Sequence, residues 1–201
     1  MKRLKGFAGA MLYPLIGYRP QAVDAATWDR EYRDGAWNYL SGIDSVAGLA
    51  AVMGYCQHLA PRTILDAGCG EGLLAEKLRL LEHDYYLGLD ISQEAVNRAT
   101  RKLGNSRMEF AVADLHRFES PRRFDAIIFN QSLYYLSQPD AVLKRYAAML
   151  APGGHFIISM TDQPRTRALW PLVEKALRTQ DMMDTRQGKG RVITKLMVPR
   201  S

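Results

Sequence analysis

Short apolar runs alternate with amphipathic stretches along the chain from residue 63 onward. The runs are rich in β-branched and aromatic residues and predict five strands: Thr63–Asp66, Tyr85–Asp90, Met108–Asp114, Phe124–Asn130 and His155–Met160. Apolar residues at helical spacing predict three helices between them: Leu73–Leu81, Gln93–Leu103 and Ala141–Leu150. Because strands that alternate with helices form parallel sheets with right-handed crossovers, the pattern predicts an α/β fold, a doubly wound and mostly parallel sheet with helices on both faces.

The pattern is different before residue 60, where the chain is helical in character and rich in aromatic residues. Four large rings fall within a dozen positions: Trp28, Tyr32, Trp37 and Tyr39. We expect one domain overall, with residues 1–60 as an N-terminal helical segment and residues 61–201 as the main unit. Ser92 is the expected N-cap of the second helix, and Pro152-Gly153-Gly154 is expected to end the third.

Composition agrees with a globular domain, because 47% of the 201 residues are hydrophobic and 24% are charged. The two cysteines, Cys56 and Cys69, are well separated and predict neither a disulfide framework nor a zinc site, so no metal is expected. A reducing, cytoplasmic location fits this cysteine usage best.

The formal net charge is +6, and the basic residues are scattered rather than arranged in a stripe with aromatic residues. We therefore interpret the charge as a solvated surface and expect no specific nucleic-acid partner. Lys2-Arg3-Leu4-Lys5 and the apolar residues 6–17 have the outline of a secretory signal, but Pro14 and the absence of a cleavage site argue against it. We expect this segment to pack on the domain or to contact an anionic membrane weakly and reversibly.

The motif T-I-L-D-A-G-C-G-E-G at residues 63–72 begins with the first predicted strand, and its glycines follow that strand directly. Its three glycines lie at the carboxyl end of a strand, where open parallel sheets bind ligands. The pattern differs from the G-x-G-x-x-G of dinucleotide-binding proteins, since Leu73 stands where the third glycine is needed, and no Gly-Lys-Ser/Thr follows as in a P-loop. Asp66, two residues before Gly68, is unfavourable beside a pyrophosphate but suits a ligand that carries an ammonium group.

I-L-D-A-G-C-G-E-G resembles motif I of the class I S-adenosylmethionine-dependent methyltransferases. The resemblance continues through L-G-L-D-I-S (87–92), A-D-L (113–115), F-D-A-I-I-F-N-Q-S-L-Y-Y-L (124–136) and M-L-A-P-G-G-H-F-I-I-S (149–159), in the order of the family. It implies a Rossmann-like fold, S-adenosylmethionine as cofactor, S-adenosylhomocysteine as product, and methyl transfer by in-line displacement.

The resemblance also implies roles for the residues at the strand ends. Asp90 would bind the ribose hydroxyls, Asp114 the adenine amino group, and Asp66 the methionine ammonium group. The predicted cofactor-binding residues are Asp66, Gly68, Cys69, Gly70, Gly72, Asp90, Ile91, Ala113, Asp114, Leu115, Asn130, Gln131 and Ser132. Simpler alternatives are a helix-capping acid at Asp90, an Asx turn at Asp114 and a packing residue at Cys69.

The resemblance does not identify a catalytic base. Tyr134 and Tyr135 occupy the place where many relatives have a histidine, and tyrosine is a poor base at neutral pH. We interpret both as shaping the acceptor pocket. His116 is the nearest histidine, with an ordinary surface histidine as the alternative.

The acceptor is predicted by elimination. Asn130 is not followed by the Pro-Pro-Tyr of nucleic-acid amino methyltransferases, and little sequence is inserted between strands for a protein substrate. A small molecule or a glycan- or lipid-linked acceptor remains. We expect it to be covered by a lid that carries Trp28, Tyr32, Trp37 and Tyr39; an aromatic patch that only packs the N-terminal helix is the alternative.

Rival functions are a non-catalytic binding or accessory protein, an RNA or protein methyltransferase, and an NAD-dependent oxidoreductase. The oligomeric state stays open.

The C-terminal region departs from the family pattern, in which a sixth strand pairs with an antiparallel seventh. After a helix at Pro164–Thr179 and the turn Gly188-Lys189-Gly190, only Val192–Val198 is a persuasive strand, and the resemblance implies that this C-terminal strand runs antiparallel to the others. Either Met182–Gln187 forms a short partner strand or the sheet is trimmed.

Overall fold

The computed structural model describes residues 18–20, 23–188 and 190–200, which form one seven-stranded sheet with its helices. The strands are β1 (Thr63–Ala67), β2 (Tyr85–Asp90), β3 (Met108–Val112), β4 (Phe124–Asn130), β5 (Leu150–Thr161), β6 (Leu177–Gln187) and β7 (Gly190–Pro199). Their order is β3-β2-β1-β4-β5-β7-β6, and β7 alone runs antiparallel to its neighbours. This is the mostly parallel, doubly wound sheet that the sequence predicts, with its antiparallel C-terminal strand.

Helices cover both faces of the sheet. They are α1 (Ala25–Arg33), α2 (Val46–Leu59), α3 (Leu73–Leu78), α4 (Gln93–Leu103), α5 (Pro139–Ala147) and α6 (Pro164–Ala176), with short 3₁₀ segments at Asn38–Ser41, Ile43–Ser45 and Leu133–Tyr135. The predicted cap of α4 is confirmed, because the Ser92 hydroxyl accepts a hydrogen bond from the Ala95 amide at 3.1 Å.

The core has two layers, one on each side of the sheet. Adjacent residues of one strand point to opposite layers: Ile64 packs with α2, α3 and α4, whereas Leu65 packs with α5 and α6. Both side chains are fully buried. Continuous apolar runs in the central strands follow from this double coverage.

Several predicted boundaries are wrong. Strand β3 ends at Val112 instead of Asp114, and α3 ends at Leu78 instead of Leu81. Helix α5 ends at Ala147, before Pro152-Gly153-Gly154, which lie inside β5 at an irregularity of its pairing with β4. The apolar run His155–Met160 is therefore only the second half of that strand.

The C-terminal region contains the sixth strand, so the sheet is not trimmed. Helix α6 ends at Ala176, not Thr179, and β6 begins at the next residue and pairs with β7 along its whole length. The short partner proposed at Met182–Gln187 is the second half of this longer strand. No helix among residues 18–20, 23–188 and 190–200 is long and apolar enough to cross a membrane. The expectations for residues 1–17 lie outside the described residues.

Strand order fixes where a ligand can bind. The chain moves outward from β1 to β3 on one side and from β4 to β5 on the other, so the order reverses between β1 and β4. In such sheets the crevice beyond the carboxyl ends of these two strands is the ligand site.

Candidate active site

One large cavity lies beyond the carboxyl ends of β1, β2 and β4, with a volume of about 730 Å³. Most of the predicted cofactor-binding residues line it: Asp66, Gly68, Cys69, Gly70, Asp90, Ile91, Asp114, Leu115, Asn130, Gln131 and Ser132. The four predicted acceptor-side residues Trp28, Tyr32, Trp37 and Tyr39 line the same cavity, as do His116, Tyr134 and Tyr135. A volume of this size is within the range of small-molecule sites.

The loop after β1 needs glycine at two positions that face the cavity. Gly68 has φ +87°, and a Cβ there would lie 2.4 Å from the Ser132 Cβ. Gly70 has φ +55°, and a Cβ there would lie 2.7 Å from the Tyr32 hydroxyl. Both positions therefore exclude a side chain by backbone conformation and by space.

Two predicted cofactor-binding residues lie outside the cavity lining. Gly72 precedes α3, and a Cβ there would point at the Leu103 side chain on α4, so this glycine allows two helices to pack closely. Ala113 follows β3, where its amide donates a hydrogen bond to the Asp90 carbonyl at 2.9 Å. Gly72 thus affects the packing of helices beside the site and Ala113 the backbone next to Asp90, and neither lines the cavity.

Asp66 is the most buried carboxyl group of the site. Its Oδ2 accepts a hydrogen bond from the Tyr86 hydroxyl at 2.7 Å, whereas its Oδ1 has no partner among the described residues. Burial raises the pKa of Asp66 to about 7, against the lowering effect of the Tyr86 hydrogen bond. A buried carboxyl oxygen without a partner suits a cationic group of a ligand, as the sequence predicts for the ammonium group.

Asp90 lies at the end of β2 and organises the loops around it. Its two oxygens accept hydrogen bonds from the Gly70 and Ser92 amides, each at 2.9 Å. Burial raises the pKa of Asp90, against these hydrogen bonds. Because each carboxylate oxygen can accept a second hydrogen bond, the residue can hold the two loops and still receive ribose hydroxyls.

Asp114 forms the Asx turn that the sequence left as an alternative, with its Oδ1 accepting the His116 amide at 2.9 Å. Burial would raise the pKa of Asp114, but the hydrogen bonds from His116 outweigh it and lower the pKa. Asp114 also lines the cavity, so its carboxyl group can form this turn and still contact the adenine amino group of a ligand.

Both ring nitrogens of His116 have partners. Its Nε2 accepts a hydrogen bond from the Ser137 amide at 3.0 Å, and its Nδ1 lies 3.0 Å from the Asp114 Oδ1. A backbone amide can only donate, so Nε2 carries no proton and Nδ1 donates to the carboxylate. This arrangement joins two loops at the cavity edge and leaves no ring nitrogen ready to accept a proton from an acceptor.

The residues after β4 are held by the sheet. Gln131 has φ +59°, and its side-chain oxygen accepts the Thr161 amide at 3.0 Å. The Ser132 hydroxyl donates to the Ala67 carbonyl at the end of β1. A non-glycine residue at positive φ needs such support, and strained positions of this kind are common at functional sites.

Tyr134 and Tyr135 stand side by side, with ring centroids 4.7 Å apart and the Arg165 guanidinium 4.7 Å from the Tyr134 ring. Burial raises the pKa of both hydroxyl groups. Tyrosinate is therefore scarce at neutral pH, which supports the interpretation that they shape the pocket and do not act as bases.

Five rings form what we call the aromatic wall: Trp28, Tyr32, Trp37, Tyr39 and Tyr135. Trp28 is central, with ring centroids 5.4 Å from Trp37 and 5.0 Å from Tyr135 in an edge-to-face arrangement. The Trp37 indole N–H is buried and has no partner among the described residues. The wall lines the same cavity as the carboxyl groups.

Asp29 on α1 is a site-supporting residue that the sequence reasoning missed. Its Oδ1 accepts hydrogen bonds from the Ser92 hydroxyl at 2.6 Å and the Glu94 amide at 3.0 Å. In the sequence Asp29 is one acid in a polar helix, and its partners lie more than sixty positions away, so no local signal marks it. Within the described ranges, no group of three or more His, Cys, Asp or Glu residues could hold a metal ion.

Comparison with known proteins agrees with this geometry. A family model described as a methyltransferase domain matches residues 40–195, which is more than half of the chain. An uncharacterized methyltransferase of Mycobacterium bovis is 31% identical over 116 residues, 57% of this chain and 58% of its own length. The ubiquinone biosynthesis O-methyltransferase of Aliivibrio fischeri is 29% identical over 150 residues, 73% of this chain and 62% of its own length. The matches thus span about three fifths of these curated relatives.

Among solved structures, the N-methyltransferase NodS from Bradyrhizobium japonicum WM9 in complex with S-adenosyl-L-homocysteine has the same fold. Its TM-score is 0.72 at 20% identity, and the match covers 88% of this chain and 98% of NodS. The family and the cofactor predicted from the glycine motif are confirmed. The chain belongs to the S-adenosylmethionine-dependent methyltransferases.

Proposed function

We propose that this protein transfers the methyl group of S-adenosylmethionine to a small-molecule acceptor that lies against the aromatic wall. The observation that carries the proposal is one cavity with two unlike sides. Carboxyl groups at the ends of β1 and β2 and after β3 line it together with rings contributed mainly by the N-terminal segment. The volume of about 730 Å³ accommodates a nucleoside cofactor together with a small partner.

The carboxyl groups fit the three parts of the cofactor. Asp66, with its unpartnered oxygen, would hold the ammonium group, Asp90 the ribose, and Asp114 the adenine. Gly68 and Gly70 leave room for close approach of the backbone. The bound cofactor would supply an activated methyl group on its sulfonium, and the protein would supply alignment and exclusion of water.

The aromatic wall favours an acceptor with an extended apolar or ring face. The described residues of the cavity lining include several carboxyl groups and no lysine or arginine, so an acceptor without negative charge is favoured. Similar proteins support a small molecule: one is a ubiquinone biosynthesis O-methyltransferase, and NodS is an N-methyltransferase.

Alignment would be the main catalytic contribution of this chain. Tyr134 and Tyr135 stay protonated, and both His116 nitrogens are engaged. Holding nucleophile, methyl carbon and sulfur in line is worth up to roughly 7–11 kcal/mol. We expect an acceptor atom that loses its proton without a strong protein base.

Calorimetric titration with S-adenosylhomocysteine and with NAD tests the cofactor part. We expect affinity for the first ligand only. Asp90→Asn should weaken it about 50-fold, because the amide NH₂ would face one of the two N–H donors that now bind the carboxylate. Asp84→Asn, an exposed acid just before β2, is the matched control and should bind as wild type.

A product screen tests the acceptor part. Pooled metabolites are incubated with labelled S-adenosylmethionine, and a mass shift of one methyl group identifies the product. Cofactor binding without any methylated product would favour a non-catalytic binding protein, and labelled RNA or protein would replace the small-molecule proposal.

A glycan- or lipid-linked acceptor is the narrower form of the proposal, motivated by the basic and apolar residues 1–17. Co-sedimentation with anionic vesicles at low salt should then be seen, and it should weaken as salt is raised. Failure to sediment at low salt removes the membrane part and leaves the methyl transfer untouched.

A further inference from the structure

Helix α1 contacts both loops that surround Asp90. Asp29 and Tyr32 are three positions apart, so they lie on one face of the helix. Asp29 reaches Ser92 in the loop after β2, and Tyr32 reaches Gly70 in the loop after β1. The face of α1 that carries part of the aromatic wall therefore also rests on the cofactor side of the cavity.

The first contact is a chain of three hydrogen-bonded residues. The Ser92 hydroxyl donates to Asp29 Oδ1 at 2.6 Å, and the Ser92 amide donates to Asp90 Oδ1 at 2.9 Å. Glu94 adds its amide to the same Asp29 oxygen at 3.0 Å. The carboxylate thus lies at the N-terminus of α4, where negative charge is stabilised, and these hydrogen bonds hold the pKa of Asp29 below its usual range.

The second contact is the Tyr32 hydroxyl above Gly70. It lies 2.7 Å from the position that a Gly70 Cβ would take, and the Gly70 amide donates to the other oxygen of Asp90. One oxygen of Asp90 is therefore linked to α1 by hydrogen bonds through Ser92, and the residue that binds its other oxygen, Gly70, lies under the Tyr32 hydroxyl of α1.

We propose that Asp29 is a positioning residue that fixes α1, and with it Trp28 and Tyr32 of the aromatic wall, onto the cofactor site. Cofactor and acceptor binding are then coupled, because a ligand that orders the Asp90 loops also orders the helix that forms the acceptor side. The proposal rests on the proposed function for the identity of the cofactor. It assigns α1 to the cofactor site as well as to the lid.

The coupling follows from geometry. Trp28 is the neighbour of Asp29 in sequence and packs against Trp37 and Tyr135, so a tilt of α1 would displace the centre of the wall. A ligand that orders the loops lowers the entropy cost of ordering α1, and by linkage an ordered α1 raises the affinity of the loops for that ligand.

The test compares Asp29→Ala, Asp29→Asn and Asp34→Ala in the full chain, with S-adenosylhomocysteine as the probe. Affinity is measured by calorimetry and the protection of α1 amides by hydrogen exchange.

We expect Asp29→Ala to bind about tenfold more weakly and to lose the probe-induced protection of α1. Asp29→Asn should stay within about threefold of wild type, because both hydrogen bonds end on one oxygen that an amide also offers. Asp34, an exposed acid at the end of the same helix, should have no effect.

A second measurement needs no variant. In wild type the probe should protect the amides of α1 more than those of α6, which packs in the core layer that contains Leu65. If wild type binds the probe but Asp29→Ala binds equally well and α1 gains no protection, the positioning role is overturned while the proposed function stands. If wild type does not bind the probe, the proposed function itself is overturned.

Discussion

The cofactor side and the acceptor side of the cavity are formed by different kinds of chemical group. On the cofactor side, short side chains and backbone amides lie directly at strand ends, and a buried carboxyl group such as Asp66 is fixed by the sheet. On the acceptor side, large rings pack mainly against each other on α1 and the segment after it. Backbone geometry thus defines the first side, and side-chain packing defines the second.

This difference predicts how each side responds to substitution. Changes on the cofactor side should act through space and charge, with large effects on ligand affinity. Changes in the aromatic wall should act on the acceptor and leave the cofactor site intact, unless they disturb the link at Asp29.

Gly68→Ala should reduce affinity for S-adenosylhomocysteine more than about 100-fold. The new Cβ would lie 2.4 Å from Ser132 Cβ at a φ of +87°, so the loop has to move. Gly153→Ala is the matched control, because Gly153 has φ +78°, lies outside the cavity, and has no atom within 4 Å of the position that a Cβ would take. It should keep the affinity within about twofold and lose about 1 kcal/mol of stability. Equal affinities in calorimetry would show that the Gly68 loop does not bind the ligand.

Asp66→Asn should weaken the same ligand about tenfold and remove the dependence of affinity on pH. In wild type the Asp66 pKa of about 7 means that the acid is mostly protonated below pH 7 in the free protein. An ammonium group needs the ionised form, so affinity should rise with pH, at most about tenfold per unit, and level off above about pH 7. Calorimetry at about pH 6 in two buffers of different ionisation enthalpy should detect proton release. A flat pH profile in wild type would contradict the assignment.

The free energy of unfolding of the ligand-free protein should have the opposite pH dependence to the ligand affinity, because the contribution of Asp66 falls as pH rises. The folded pKa of about 7 lies above the ordinary value of 3.8, so the contribution of Asp66 is fully present below about pH 4 and is lost as pH rises through 7. Denaturant titrations across this range should show a smaller decline for Asp66→Asn than for wild type.

Trp37→Ala should raise the KM of the acceptor found in the product screen about tenfold, with kcat within about threefold and little change in Tm. The ring lines the cavity but is only half-buried, and its N–H has no partner to lose among the described residues. Trp37→Phe keeps a ring and should lie between wild type and alanine. A large fall in Tm with an unchanged KM would assign Trp37 to packing alone.

His116→Ala should have the smallest effect, a fall in kcat of less than about threefold. Both ring nitrogens bind other residues, so the side chain joins two loops and accepts no proton from the acceptor. The pH profile of kcat should keep its shape. A loss of about 100-fold or more, with cofactor affinity unchanged, would restore His116 as a base.

The sequence predicts the cofactor side well because its signals are local. Strands β2 and β4 have the predicted bounds, and the cap of α4 is the expected Ser92. Motif spacing alone places Asp66, Asp90 and Asp114 in one cavity, since parallel strands end at the same edge of the sheet. The proposed contacts of these residues with the cofactor stay predictions.

The remaining features depend on contacts between distant parts of the chain. Strand β5 begins at Leu150, well before its apolar run, because Leu150 already pairs with Phe124 of β4. After an irregularity at the glycines, the pairing with β4 resumes at His155. Strand β6 has polar residues at most positions and becomes a strand through pairing with β7. Asp29 and the packing role of Gly72 likewise need the neighbouring helix α4, which no local pattern reveals.

Strand β6 forms one margin of the sheet, so its outer backbone groups have no strand beyond them among the described residues. Such a margin is a template for unwanted pairing between molecules. Here four charged and exposed side chains are spaced along it, Arg178, Asp181, Asp184 and Arg186, and a register shift between Thr179 and Asp181 bends the strand. Both features oppose the addition of another strand along the eleven residues of β6.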